Sequence, residues 1–389
     1  MVEVFLSAPF RTPVGKFGGS LKDIPAPKLG GIVIERILET TRLESDIFDD
    51  VVMGNVILAG EKMNPSRQAA IFGGVSQEVP AMTVNRVCGS GLQAIITGIQ
   101  EIQSGFSRIV IAGGMENMDQ APYLIMKGRW GYRLGDSTIY DAITRDGLND
   151  AFYDKHSGFL TDEYLVPKYK ITREEQDRFA LESHRKAKRA IEEGRFKDQI
   201  VPVKLKDGVF EVDETVRFDT SLEKLSRLKP AFKKGGTITA GNAPGLNSGA
   251  AAMIISDEDT LRKNALPVFG KVISYSIKAV DPKYFGIAPV YAIRDSLKKA
   301  NLTISDIDLF EINEAFAAIA IAIKKELNIP DEKLNVNGGA IALGHPIGAT
   351  GAILTVKLLH ELKRSGKKLG LVSLCIGGGQ AISLILKKI

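Results

Sequence analysis

Two distant stretches of this chain spell out the same β-α-β unit, with glycines at the same joints and one chemically versatile side chain at the same place in each. The first copy runs from an apolar strand at 49–56 (DDVVMGNV), through Cys88 and the helix GSGLQAIITGIQEIQSG, to a strand at 108–117 (RIVIAGGMEN). The second runs from 306–316 (DIDLFEINEAF), through His345 and the helix GATGAILTVKLLHELKRSG, to 370–380 (GLVSLCIGGGQ). Asn55 precedes Cys88 by 33 residues and Asn313 precedes His345 by 32. Such self-similarity points to duplicated α/β units that bury a shared face. If a pseudo-twofold axis relates them, Cys88 and His345 take equivalent helix N-termini and face one central crevice. A composite site is the expectation.

At 389 residues the chain can bury two or three cores of ordinary size. A hydrophobic fraction of 44% with 25% charged residues excludes disordered and fibrous classes. No apolar run reaches the roughly 18 residues that span a bilayer, and the start MVEVFLSAPFRTP lacks a basic n-region and a small-residue cleavage site. A cytoplasmic protein without a membrane partner is expected. Cys88 and Cys375 are the only cysteines, which excludes a disulfide scaffold and a four-cysteine metal site. No metal is expected. The net charge of +5 argues for no nucleic-acid partner. Residues 168–235 nevertheless hold 18 Lys and Arg against 13 Asp and Glu, which fits a solvated helical surface or an attraction for an anionic ligand.

That basic stretch lies in a segment of different character, rich in Tyr, Asp, Lys, Arg and turns. The reading is an inserted loop domain at 118–243, between a first half at 1–117, completed by 244–267, and a second half at 268–389. Inside the insert, Thr172 to Gly194 reads as one amphipathic helix, opened by a Thr172/Glu175 capping pattern and closed by glycine.

Cys88 stands between the extended run AMTVNRV and a helix, where unpaired N–H groups and the helix dipole favour thiolate. An unperturbed thiol is only about 3% ionised at pH 7, so activation matters to a nucleophile. His345 occupies the matching joint, with Pro346 suited to the first helical position and Gly344 leaving the imidazole open on one side. His184 and His360, on charged helix faces, read as ordinary surface residues. Cys375 ends an apolar strand before Gly377-Gly378-Gly379, a turn able to aim N–H groups at a developing oxyanion. Asn313 is placed to hold a water or position the histidine, with helix capping as the plain alternative.

These motifs are similar to those of the thiolases. VNRVCGSG at 84–91, AGGMENM at 112–118, AGNAPGLNSGAAA at 240–252, NEAFA at 313–317, NVNGGAIALGHPIGATG at 335–351 and CIGGGQ at 375–380 occur in family order and cover essentially the whole chain. The resemblance is closest to acetoacetyl-CoA thiolases. It implies a duplicated layered α-β-α-β-α core with an inserted loop domain, acting on acyl-CoA substrates without a resident cofactor. It implies Cys88 as acyl-accepting nucleophile, His345 as its base, Cys375 as second acid/base, Asn313 holding an oxyanion water, and Gly377 N–H in a second oxyanion hole. For coenzyme A it implies Leu148, His156, Arg217, Phe232, Ala243 and Phe316. The segment Asp119 to Asp136 resembles the loop through which thiolases form homotetramers. Ser157, Pro244 and Ser248 depart from usual residues near coenzyme A, and Phe285 replaces a common methionine, as in thiolases that accept 2-methyl-branched substrates.

The resulting expectation is an acetyl-CoA C-acetyltransferase of short acyl range, with a broader 3-ketoacyl-CoA thiolase as alternative. A ketoacyl-synthase type of condensing enzyme would share the fold but normally lacks Cys375. A non-catalytic lipid-thioester carrier would have no need of all four site residues. A dithiol redox protein would require Cys88 and Cys375 to cycle through a disulfide.

Overall fold

The computed structural model describes residues 2–389. Its first half contains β1 (Val4–Arg11), α1 (Ala26–Thr41), β2 (Asp50–Gly54), α2 (Pro65–Phe72), β3 (Ala81–Val84), α3 (Ser90–Ser104) and β4 (Ile109–Asn117). A loop region follows, whose longest helix is α4 (Arg173–Glu192). β5 (Asn247–Asp257) then returns to pair with both β4 and β1. The second half contains β6 (Val268–Ala279), α5 (Ala288–Ala300), β7 (Leu309–Ile312), α6 (Ala317–Leu327), α7 (Thr350–Ser365), β8 (Leu369–Ile376) and β9 (Gln380–Lys387).

Strand pairing shows the duplication directly. In the first half β2–β4 is parallel, while β4–β5 and β5–β1 are antiparallel. In the second, β7–β8 is parallel, while β8–β9 and β9–β6 are antiparallel. Where a counterpart of β3 would lie, a single parallel bridge joins Phe310 to Leu334. The halves meet where β1 and β6 pair antiparallel, giving the order β7-β8-β9-β6-β1-β5-β4-β2-β3, with Gly15–Lys16 added against β5.

Period-two burial splits each strand between two apolar layers. Val52 and Val110 face a central layer, while Val51, Met53 and Ile111 face an outer one with α1 and α2. The central layer is made by α3 and α7, whose Leu92, Ile95, Ile353 and Val356 pack between Val110 and Met253 of one half and Val372 and Leu384 of the other. On the far side, Phe310, Leu371 and Ile385 form a third layer with α5, α6 and residues of the loop region. The expected α-β-α-β-α layering follows.

Where α3 and α7 begin, their backbones touch. A Cβ added to Gly351 would fall 2.4 Å from Leu92 N, and one added to Gly91 would fall 2.9 Å from Ala352 N. This reciprocity is what a two-fold contact produces. Because α7 is enclosed on all sides, every residue from Thr350 to Leu362 is buried, charged ones included.

The loop region holds three two-stranded ribbons: Tyr123–Ile125 with Ile139–Asp141, Asn149–Asp150 with Lys155–His156, and Val203–Leu205 with Gly208–Phe210. α4 forms as expected, with a complete Thr172/Glu175 capping box and a left-handed Gly194 just past its end. Among the described residues no helix is long and apolar enough to cross a membrane.

Candidate active site

Cys88 lies in the elbow between β3 and α3, with Gly89 as N-cap. The preceding Val87 has φ 45°, a left-handed value that costs a β-branched residue on the order of 1–3 kcal/mol. Three hydrogen bonds hold it there. Val87 N–H donates to Asn85 Oδ1 at 2.9 Å, Arg86 N–H donates to Ser90 Oγ at 2.8 Å, and the Ser90 hydroxyl donates to Val87 C=O at 2.7 Å.

The expected bias toward thiolate does not hold. Burial pushes the Cys88 thiol up to about 11, and the charge of Glu116 adds to it, against N–H groups of Gly377 and Cys88 itself. Cys88 keeps one face partly open, but its surroundings are the apolar cluster of Val56, Met118 and Ile347. Desolvation there outweighs the dipole of a helix that starts two residues later.

His345 sits five residues before α7, so the second joint is longer than the first and the two side chains are not strictly equivalent. Pro346 is not the first helical residue; its carbonyl accepts the N–H groups of Ala349 and Thr350, both at 2.9 Å, in a separate turn. That carbonyl also accepts the Thr350 hydroxyl at 2.8 Å. With its one hydrogen committed, Thr350 Oγ1 can only accept from His345 Nδ1, 2.6 Å away. Nε2 is thereby left as the basic nitrogen, 3.3 Å from Asn313 Nδ2. Burial lowers the His345 pKa to about 4, so the ring is neutral.

Gly344 serves a purpose other than opening the imidazole. Its φ is +99° and a Cβ would lie 2.7 Å from Asn247 Cγ. The close approach lets Asn247 Oδ1 accept His345 N–H at 2.8 Å.

Asn313 follows β7, and its N–H donates to Ser373 C=O at 3.0 Å. Phe316 is the N-cap of α6, so capping is not the role of Asn313. Its Oδ1 is buried without a partner beside the imidazole, an acceptor available to a small polar group. Cys375, near the end of β8, is buried, and desolvation and then Cys88 push its thiol far above its ordinary range. After it, Gly378 and Gly379 adopt φ of +81° and +85°, which bends the chain so that Gly377 N–H bonds the Cys88 sulfur.

Cys88, His345, Cys375 and Gly377 converge on one cavity of about 540 Å³. Leu148, His156, Phe232, Ala243 and Phe316 line its walls, with Ser157, Pro244 and Phe285. His156 stacks on Phe232 at 4.3 Å and Phe232 meets Phe316 edge-on at 5.7 Å, giving a flat apolar wall. Burial lowers His156 to about 4. Arg217 is outside the lining; its guanidinium donates to the carbonyl of the wall residue Ala240 at 3.1 Å. Ser248 is also outside, its hydroxyl 2.9 Å from Asn117 Oδ1 and 3.0 Å from Asp119 Oδ2.

His184 and His360 are buried, against expectation. His184 Nδ1 accepts Arg217 N–H at 3.1 Å, and His360 Nε2 donates to Pro9 C=O at 2.9 Å. Charged neighbours in the sequence concealed that both helices are covered by other elements. Thr350, Ser90 and Glu116 had no role assigned from sequence, although each lies within a quoted motif; Ser90 and Glu116 bond the backbone of the site and Thr350 the His345 ring.

Two family models cover nearly all of the chain: Thiolase, N-terminal domain, over residues 4–259, and Thiolase, C-terminal domain, over 266–388. A probable acetyl-CoA acyltransferase of Staphylococcus epidermidis is 49% identical, with 100% of this chain and 99% of that protein covered. A probable acetyl-CoA acyltransferase of Staphylococcus aureus is 49% identical with both chains fully covered. Among solved structures, the Bacillus anthracis acetyl-CoA acetyltransferase superposes with a TM-score of 0.97 at 42% identity, covering 100% of this chain and 99% of the other. The human mitochondrial 3-ketoacyl-CoA thiolase in complex with CoA superposes with a TM-score of 0.97 at 41% identity, covering 100% and 98%. With a duplicated core matched half by half, and reactive side chains from both halves around one cavity, this chain belongs to the thiolase family of acyltransferases.

Proposed function

We propose that the enzyme is an acetyl-CoA C-acetyltransferase, which condenses two acetyl-CoA to acetoacetyl-CoA and free coenzyme A, and runs the same steps backwards as thiolysis. The observation that carries this reading is the meeting of two separate thiols with one neutral imidazole in an apolar-walled cavity. A single acyl transfer needs one nucleophile and one base; carbon–carbon bond formation needs a second acid/base.

In the first half-reaction His345 Nε2 takes the Cys88 proton as the sulfur attacks the thioester carbonyl. The new imidazolium Nε2–H, with a water held by Asn313, stabilises the oxyanion, and Cys375 gives its proton to the departing coenzyme A sulfur, becoming a thiolate. Acetyl-Cys88 and coenzyme A result. In the second, the Cys375 thiolate removes the α-proton of another acetyl-CoA. The enolate carbon attacks the acetyl carbonyl, whose oxyanion meets the N–H groups of Cys88 and Gly377. Collapse breaks the Cys88 C–S bond and releases acetoacetyl-CoA, and the freed Cys88 sulfur takes back its proton from the His345 imidazolium. Ping-pong kinetics follow. Both thiols and the imidazole are held neutral before substrate arrives, so charge forms where substrate has excluded water and bonding partners await it.

Buried Phe285 in the cavity wall favours a short acyl group over long ones. The exposed Tyr123–Ile125 hairpin, with Trp130 86% and Leu134 95% exposed, is the surface through which we assign a homotetramer. No resident cofactor takes part in these steps, and the assigned compartment is the cytoplasm. Thiolysis assayed across acetoacetyl-CoA, 2-methylacetoacetyl-CoA and longer 3-ketoacyl-CoA tests the reading: turnover must be fastest for the four-carbon chain. Greatest kcat/KM on chains of eight or more carbons would make the enzyme a broad-range 3-ketoacyl-CoA thiolase instead.

A further inference from the structure

The register of the two half-sheets aligns Glu116 with Cys375. Gly54 pairs with Gly114 where Ile312 pairs with Ser373, so the residue two places further along is Glu116 in one half and Cys375 in the other. The first half thus carries a carboxylate at the strand position where the second carries a thiol. Glu116 is fully buried, and no cation pairs with it among the described residues.

Four donors converge on that carboxylate instead. Oε1 accepts Asn55 Nδ2 at 2.8 Å and Ile57 N–H at 3.3 Å; Oε2 accepts Val56 N–H at 3.1 Å and Gly348 N–H at 2.9 Å. The first three belong to the loop after β2, in the Cys88 half. Gly348 belongs to the turn that carries His345, in the other half. Four buried N–H groups aimed at one carboxylate are satisfied together or not at all, and each left unpaired costs about 1–3 kcal/mol. Gly348 is also packed tightly here, since a Cβ would lie 2.7 Å from Glu116 Oε2 and 2.9 Å from Asn55 Cα.

We propose that Glu116 is a positioning residue that pins the His345 turn to the Cys88 half and sets its charge close to the Cys88 thiol. Val56 shows that closeness, since its N–H donates to Glu116 while its side chain packs in the cluster around Cys88; the charge opposes ionisation of Cys88, behind burial as the larger cause. The titratable groups facing Glu116 are Cys88 and Glu61; its other neighbours are backbone amides and the Asn55 carboxamide.

The inference rests on the reading of Cys88 and His345 as nucleophile and base, and two substitutions separate its parts. Glu116→Gln removes the charge but keeps the reach. Asn55 can turn its unpartnered Oδ1 toward the new amide, which leaves chiefly Ile57 N–H unpaired. Glu116→Asp keeps the charge but withdraws it by about 1.5 Å, one C–C bond. Each variant is measured for acetoacetyl-CoA thiolysis, for iodoacetamide alkylation of Cys88 against pH, and for melting temperature. Both should lose about 10- to 100-fold in kcat, the scale set by ångström misplacement, with KM for coenzyme A within about threefold of the parent. The alkylation midpoint should fall in Glu116→Gln, where the charge is gone, and stay put in Glu116→Asp. A group with only a structural role would lower melting temperature without moving that midpoint. Alkylation needs no turnover, so a parent enzyme inert toward every acyl-CoA would sink the functional reading while leaving this profile to judge Glu116. An unshifted midpoint in Glu116→Gln, or kcat within twofold of the parent in either variant, overturns the proposal.

Discussion

The two halves share a strand pattern but differ in the joint before the central helix. In the first, α3 starts two residues after Cys88 and the chain turns through a strained Val87 clamped by Ser90. In the second, α7 starts five residues after His345 and the turn is relaxed, built on Pro346 and Thr350. At the neighbouring strand ends stand Glu116 and Cys375. One scaffold therefore carries unlike groups, a thiol and a carboxylate on one side, an imidazole and a second thiol on the other. A reaction that needs several groups with different proton affinities gains from two joints that can diverge separately.

The sharpest test of this division exchanges nothing and removes one sulfur at a time. Cys88→Ala should lower thiolysis by about 10⁴-fold or more, the scale for loss of a nucleophile, and abolish acetyl-enzyme in the mass spectrum. Cys375→Ala should still accept one acetyl group from acetyl-CoA, yet fail to condense. Finding the acetyl label on Cys375 would reverse the roles of the two halves.

Acid should also treat the halves differently, because His156, His184, His345 and His360 all lie in the loop region or second half. Each is lowered to about 4 by burial from an ordinary 6.5. Between those values the unfolded chain binds more protons, so stability falls as pH drops from 6.5 to 4. Glu116 acts in the opposite sense: raised to about 7 from 4.5, it binds its proton more readily when folded and gains stability over much of that window. Hydrogen exchange at pH 5 should open α4 and α7 before α1 and β2. Uniform opening would show that cooperativity across the central layer overrides these local differences.

The contact between the halves can be probed without touching the chemistry. Gly351→Ala places a methyl 2.4 Å from Leu92 N, against backbone that cannot step aside. A loss of about 1–3 kcal/mol in denaturant unfolding is expected, while a neutral result would mean that α3 and α7 slide past each other freely.

The smallest effect concerns substrate shape. Phe285→Met should lower kcat/KM for 2-methylacetoacetyl-CoA relative to acetoacetyl-CoA by about 10-fold at most, since one methyl in an apolar pocket is worth roughly 1 kcal/mol. Acetylation of Cys88 should be unaffected. An unchanged ratio would reduce Phe285 to ordinary packing.

The duplication and the joints were legible because glycines, apolar runs and the two cysteines mark them locally. What stayed hidden depends on long-range burial. His360 sits among charged residues in the sequence, yet α7 lies between two sheets, and nothing local to Lys357, His360 and Glu361 announces that. The thiol state of Cys88 was misread for the same reason: the helix start is local and visible, whereas Val56, Met118 and Ile347 arrive from remote segments. Arg217, expected to contact coenzyme A, is exposed and outside the cavity lining, with its guanidinium bonded to the wall residue Ala240.

The placement of β5 also bears on how the protein is made. β4 ends at Asn117, but the strand that seals it against β1 begins only at Asn247. During synthesis the first half must wait, its central strand edge bare, until the entire loop region has left the ribosome. Late closure of this kind is slow and exposes a template for mispairing. An emerging chain of this thiolase should need chaperone shelter at least until residue 257 is out.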